Sequence, residues 1–138
     1  MYKTIQRDEI LKIFQNNKNH LTATDIYCIL NSKVPQISLG TIYRNLELLA
    51  EQGIISQVKS YSKQKHFESN TAFHLHVRCP VCDEIKDLQD FNPKIIKSLS
   101  SLSFESYSLE FTQTCPNCKE HLLKQKIVKK QPLSLKNN

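Results

Sequence analysis

The chain has no apolar run of the roughly 18 residues that a membrane-spanning helix requires, which excludes that class of membrane protein. Its first residues, Met1-Tyr2-Lys3-Thr4-Ile5-Gln6-Arg7-Asp8, lack the apolar core of a secretory signal, so cytoplasmic residence is the expectation. No recognisable catalytic motif accompanies its histidines and carboxylates, and no repeat is present beyond a duplicated Cys-x-x-Cys. At 138 residues the chain has room for one ordinary domain or two small ones. Two small domains would each bury little apolar surface, so a metal ion or a partner subunit is expected as a staple. The net charge of +6 suits a polyanionic partner. With both signs mixed among the 23% charged residues, however, much of that charge is ordinary solvated surface. In a reducing compartment Cys28, Cys79, Cys82, Cys115 and Cys118 point to metal or thiol chemistry rather than disulfides.

What is present reads as two units in an α+β arrangement. Ile10, Leu11, Ile13 and Phe14 recur at helical spacing, predicting a helix over 5–16. Thr22 has the chemistry of an N-cap, with Asp25 closing a carboxylate variant of the capping box. The helix it opens should turn Ile26, Ile29 and Leu30 inward, and Pro35 interrupts the helical pattern after it. Ser38 caps a third helix that Gly53 should end. Ile42, Leu46 and Leu49 would face a core, leaving Thr41, Tyr43, Arg44 and Asn45 directed elsewhere. A strand over 54–58, a polar tip over 60–65 and a strand over 66–68 complete the order of a winged helix-turn-helix. Beyond it, 74–77 alternates as a strand, 85–88 reads as another, and Ile95, Ile96, Leu99 and Leu102 stripe a helix starting near Pro93. The stretch 104–111 resembles an edge strand. The expected division is 1–68 winged-helix domain, 69–73 hinge, 74–123 zinc-stapled small α/β domain, and 124–138 flexible basic tail.

Cys79-Pro80-Val81-Cys82 and Cys115-Pro116-Asn117-Cys118 carry the strongest chemical signal. Four thiolates in two knuckles meet the tetrahedral demand of structural zinc. Unrelated buried cysteines or redox pairs are the duller alternatives, and two redox pairs would be redundant. Cys28, in the apolar half of the second helix, reads as a small hydrophobe. His74-x-His76 would put two imidazoles on one face of a strand, with Glu68 before them, Asp87 after the knuckle, and His20 able to reach across from the first unit. Imidazoles and carboxylates without a thiolate suit Fe, Mn, Co or Zn. On the third helix Tyr43 could meet a thymine methyl and Arg44 a phosphate or guanine in a major groove, unless this is only a polar solvent face. Lys59, Lys63 and Lys65 on the hairpin would approach flanking phosphates. A hydrolytic metal centre and a pure zinc-stapled interaction module are rival readings; the first would need an open coordination position, a cleft and a general base.

Together these residues resemble the ferric uptake regulator family. His20-Leu21-Thr22-Ala23-Thr24-Asp25-Ile26-Tyr27 is similar to its entry into the second helix, and Ile37-Ser38-Leu39-Gly40-Thr41-Ile42-Tyr43-Arg44-Asn45-Leu46 to its recognition-helix signature. His66-Phe67-Glu68, His74-Leu75-His76 and the two knuckles follow in family order, so the resemblance covers about residues 4–120. It implies a winged-helix DNA-binding domain, a hinge and an α/β dimerisation domain. It also implies structural zinc on the four knuckle cysteines and a regulatory divalent metal on His20, Glu68, His74, His76 and Asp87. Arg7, Thr41, Tyr43, Arg44 and Asn45 become the expected DNA contacts. The implied protein is a homodimeric, metal-responsive transcriptional repressor, not an enzyme, on an AT-rich, pseudo-palindromic double-stranded operator near metal uptake or homeostasis genes. Iron (Fe2+) is the first choice of signal, with Mn2+ or Zn2+ possible occupants and peroxide or zinc sensing the alternatives. Glu68 resembles iron-sensing members and Asp87 peroxide sensors. Three features depart from the family pattern. The Thr4–Arg7 segment stands almost at the start, so the usual preceding helix is not expected. Asp83 replaces a glycine after the first knuckle. Ala72-Phe73 and Tyr107-Ser108 stand where further histidines would build an additional metal site, which is therefore expected to be absent.

Overall fold

The computed structural model describes residues 4–89, 92–105 and 108–130. Its first half is built by three capped helices, α1 (Ile5–Asn16), α2 (Ala23–Leu30) and α3 (Leu39–Glu51). Each start is fixed by a short polar side chain that satisfies an otherwise orphaned N–H. Thr4 accepts from the Arg7 backbone, Thr22 and Asp25 form the reciprocal box, and Ser38 accepts from the Thr41 backbone. The end of α3 closes through Gly53, whose φ of +68° lies in the left-handed region that a Cβ disfavours.

Strands β1 (Leu21–Thr22), β2 (Ser56–Gln57) and β3 (His66–Glu68) form an antiparallel sheet in the order β1-β3-β2. The two-residue β1 has too little pattern to be read from sequence. The strand expected over 54–58 is shorter, because the N–H groups of Ile54 and Ile55 both point back to the Leu49 carbonyl and finish the helix. The core lies in this half: Ile10, Phe14, Ile26, Leu30, Ile42, Leu46, Leu49 and Phe67 are buried together. Ile29 and Cys28, expected inside, are on the exposed side of α2.

The second half has strands β4 (His76–Arg78), β5 (Ile85–Asp87) and β6 (Phe111–Thr112), with helices α4 (Pro93–Ser100) and α5 (Pro116–Lys130). The sheet order is β5-β4-β6, antiparallel on one side of β4 and parallel on the other. Of the strand expected over 104–111, positions 106–107 lie outside the described residues; among the described ones Phe111 pairs with β4, together with Thr112. Among the described residues beyond Glu68, Cys79 and Ile85 are the buried apolar ones, whereas Ile95, Phe104, Leu109 and Phe111 are exposed. The segment from 124, expected to be irregular, continues α5 as far as Lys130. Its Lys and Gln residues are good helix formers, and Lys124 pairs with Glu120 one turn back at 2.8 Å. Polar periodicity removed the packing signal without removing the helical preference. Residues 131–138 of that tail lie outside the described residues.

Candidate metal centres and nucleic-acid face

Cys79 follows β4 directly, Cys82 closes its knuckle, and Cys115 immediately precedes α5. The four sulfurs lie within 4.8 Å of one another, with Cys82 and Cys115 at 3.9 Å. A zinc ion at its usual Zn–S length separates sulfurs by about 3.8 Å, while a disulfide needs about 2.05 Å. Backbone N–H groups aim into the cluster: that of Cys115 donates to Cys79 Sγ at 3.4 Å and that of Cys118 to Cys115 Sγ at 3.5 Å. Burial alone would push the Cys79 thiol up, but N–H donors from Cys115, Cys82 and Val81 outweigh it and bring its pKa down to about 6. Cys118, facing the Cys115 sulfur first and then partly desolvated, is pushed up to about 12. Four thiols this close cannot all ionise without a cation among them, so the donor set fits structural zinc.

The second cluster is assembled across the two halves. His20 leads into β1 and Glu68 ends β3, whereas His74, His76 and Asp87 belong to the second half. His76 and Asp87 are direct cross-strand partners. His74 sits just ahead of β4, not within a strand as expected, and its Nδ1 is held 2.7 Å from the Ala72 carbonyl oxygen. Its Nε2 is thereby turned to Glu68 Oε2 at 2.9 Å, while His76 Nε2 takes Glu68 Oε1 at 2.9 Å. His20 Nε2 lies 3.4 Å from Glu68 and 3.0 Å from Asp87. One donor atom from each of the five residues falls within 4.8 Å of the rest.

Two features say what this cluster requires. Glu68 is only 3% exposed, and a buried carboxylate is costly unless its charge is balanced. His20 Nε2 and Asp87 Oδ1 are buried with no hydrogen bond, although they are near neighbours. Buried polar atoms are normally paired, and atoms that converge without bonding each other fit a shared cation. Burial lowers the pKa of His76 despite the carboxylate of Glu68, aided by the neighbouring imidazoles of His74 and His20. For His74 burial pulls the same way, but the Ala72 carbonyl, Glu68 and Asp87 outweigh it and raise its pKa.

The expected DNA contacts divide. Arg44 is exposed on α3, whereas Tyr43 leans on the core and Thr41 has its hydroxyl 2.8 Å from that of Ser38. Asn45, expected to point away from the core, is 9% exposed. It donates to the Thr41 carbonyl at 2.9 Å and accepts from Arg7 Nε at 3.3 Å. Its place three residues after Ile42 and one before Leu46 puts it at the border of the buried stripe, where Arg7 from α1 meets it. Lys59 and Lys63 are exposed, and Lys65 pairs with Glu47 at 2.8 Å.

Comparison with known proteins agrees with this picture. The profile of the ferric uptake regulator family matches residues 1–114. A ferric uptake regulation protein of Synechococcus elongatus is 35% identical over 129 residues, 87% of each chain. A peroxide-responsive repressor of Staphylococcus epidermidis is 30% identical, covering 85% of this chain and 81% of that one. The iron-containing ferric uptake regulator structure from Francisella tularensis superposes with a TM-score of 0.73 at 28% identity, covering 86% of this chain and 95% of that chain.

Proposed function

The chain belongs to the ferric uptake regulator family, and from that premise we propose that it is a homodimeric, iron-responsive repressor of metal uptake or homeostasis genes. As a member it is a metal-responsive transcription regulator, not an enzyme. No helix among the described residues is long and apolar enough to cross a membrane. A regulator of this kind works in the cytoplasm, beside its DNA.

One observation carries the reading: His20 and Glu68 from one half meet His74, His76 and Asp87 from the other, with two buried donor atoms unbonded. These five residues would hold the regulatory cation, and Cys79, Cys82, Cys115 and Cys118 the structural zinc. A divalent cation there supplies the positive charge that balances two carboxylates, and it does so only while both halves contribute donors. Three imidazoles and two carboxylates without thiolate suit iron, manganese, cobalt or zinc, and iron is the choice among them that the similarity to ferric uptake regulation proteins supports. His20 and Glu68, drawn towards the second half, fix the orientation of α3 relative to it. In a dimer the two α3 helices then stand at the spacing of operator half-sites. The exposed Ile95, Phe104, Leu109 and Phe111 support a second copy covering the small domain, which has little core of its own.

For DNA, Arg44 supplies an unburied guanidinium on α3, with Thr41 and Tyr43 beside it and Arg7 held nearby by Asn45. Lys59 and Lys63 suit flanking phosphates of an AT-rich, pseudo-palindromic duplex. Replacing His74 and His76 together with alanine tests the switch. The variant should stay folded and zinc-loaded but lose the metal-induced gain in DNA affinity, about 100-fold in the wild type. Retention of a metal-dependent gain would place the switch elsewhere. The 30% identity to a peroxide-responsive repressor favours peroxide sensing as the second reading. Release of DNA by the iron-loaded protein at low peroxide would select it over the first.

A further inference from the structure

A second group of charged side chains joins the two halves, and it lies at the opposite end of the β2–β3 hairpin from the five-donor cluster. Glu110, just before β6, accepts from the Ser60 hydroxyl at 2.9 Å and from the Tyr61 backbone N–H at 2.9 Å. It also accepts from Arg78 through Nε at 2.9 Å and Nη2 at 3.1 Å. Asp83, in the first knuckle loop, accepts from the Ser62 hydroxyl, from the Lys63 N–H at 3.2 Å and from Arg78 Nη1 at 3.2 Å. The side chains of Arg78 and Glu110 are only 16% and 17% exposed, and charge-assisted bonds sheltered to that degree are stronger than exposed ones. The hairpin is thus held at its base, where Glu68 meets His76, and at its tip, where the loop meets carboxylates braced by Arg78 two residues further along β4. The base needs a cation to balance its carboxylates. The tip does not, because Arg78 and the loop donors already serve its two.

We propose that Arg78, Asp83 and Glu110 are positioning residues for the metal switch, forming a latch that holds the wing against the second half before the regulatory cation binds. The inference rests on reading the five-donor cluster as that switch. A site assembled from two bodies has an apparent affinity reduced by the fraction of time the bodies are apart. A metal-independent latch raises the assembled fraction and therefore tightens the ion at a cluster it does not touch.

Asp83→Gly removes one carboxylate at a position whose φ is +67°, where glycine is unstrained. Glu110→Gln keeps shape and removes charge. Two readouts on the zinc-loaded protein separate the latch from the switch. Without added metal, amide exchange at Tyr61 and Lys63 should quicken by about tenfold in the double variant, since both N–H groups are bonded across the halves. Unchanged exchange would overturn the latch. In a Co2+ titration followed by visible absorption, the double variant should keep the wild-type spectrum, showing an intact ligand set, but bind about tenfold more weakly. An equal affinity would overturn the coupling, and so would an altered spectrum, which would mean that the substitutions distort the ligands themselves. Failure of the wild type to bind Co2+ at this cluster would instead reject the switch, while the exchange rates still judge the latch. Either single variant answers the same questions should the double variant not fold.

Discussion

Asn45 accepts from Arg7 and donates to the Thr41 carbonyl, while Arg44 beside it stands in solvent. Their substitutions should separate accordingly. Arg44→Ala leaves melting unchanged but weakens operator binding by about 1–3 kcal/mol if it reads a base, and lowers the salt dependence if it meets a phosphate. Asn45→Ala costs about 1 kcal/mol of stability through lost buried hydrogen bonds and weakens DNA binding by removing one of the contacts that place Arg7. Thermal melting together with fluorescence anisotropy distinguishes them. An Asn45→Ala protein of unchanged stability that no longer binds would instead assign Asn45 a direct contact with DNA. The polar identity of Asn45 was legible in the sequence. Its direction was not, because a residue at the border of a helical stripe turns in or out according to what packs opposite, here Arg7 from α1.

At the scale of elements, the caps were legible because an N-cap is a local bargain between one side chain and N–H groups two or three residues on. Thr22 with Asp25 and Ser38 before Thr41 show this directly. Gly53 makes a sharper test. A Cβ built there meets nothing within 4 Å, so the cost of Gly53→Ala is the backbone conformation alone, about 1 kcal/mol. Denaturant unfolding should show that loss with an unchanged m-value; a stabilised variant would mean that α3 does not end in a left-handed turn. The short strands were less legible. β1 exists because Leu21 and Thr22 pair with Phe67 and His66, and that partner lies far along the chain. The reach of α5 to Lys130 was missed for the opposite reason, since it needs no partner at all.

For the molecule as a whole, acid should loosen the connection between its halves. The Arg78 guanidinium beside Glu110 holds its carboxyl down at about 2, helped by the Tyr61 N–H and the Ser60 hydroxyl against some desolvation. A folded pKa below the ordinary 4.5 contributes stability that is complete above pH 4.5 and is lost as pH falls from there towards 2. Melting temperature measured across that window should fall less steeply in Glu110→Gln than in the wild type, and parallel curves would show that the contact is not made. Local chemistry determined much of this protein from sequence alone: the two thiol knuckles, the capped helices and the choice of histidines and carboxylates are written in short spacings. Tertiary structure decided which side chains share a space. It brought His20 to Glu68, Asp87 and the two later histidines, turned Asn45 inward, and set Glu110 against Ser60 and Tyr61. Such meetings depend on how two separately patterned halves lie against each other, and no periodicity within either half encodes that.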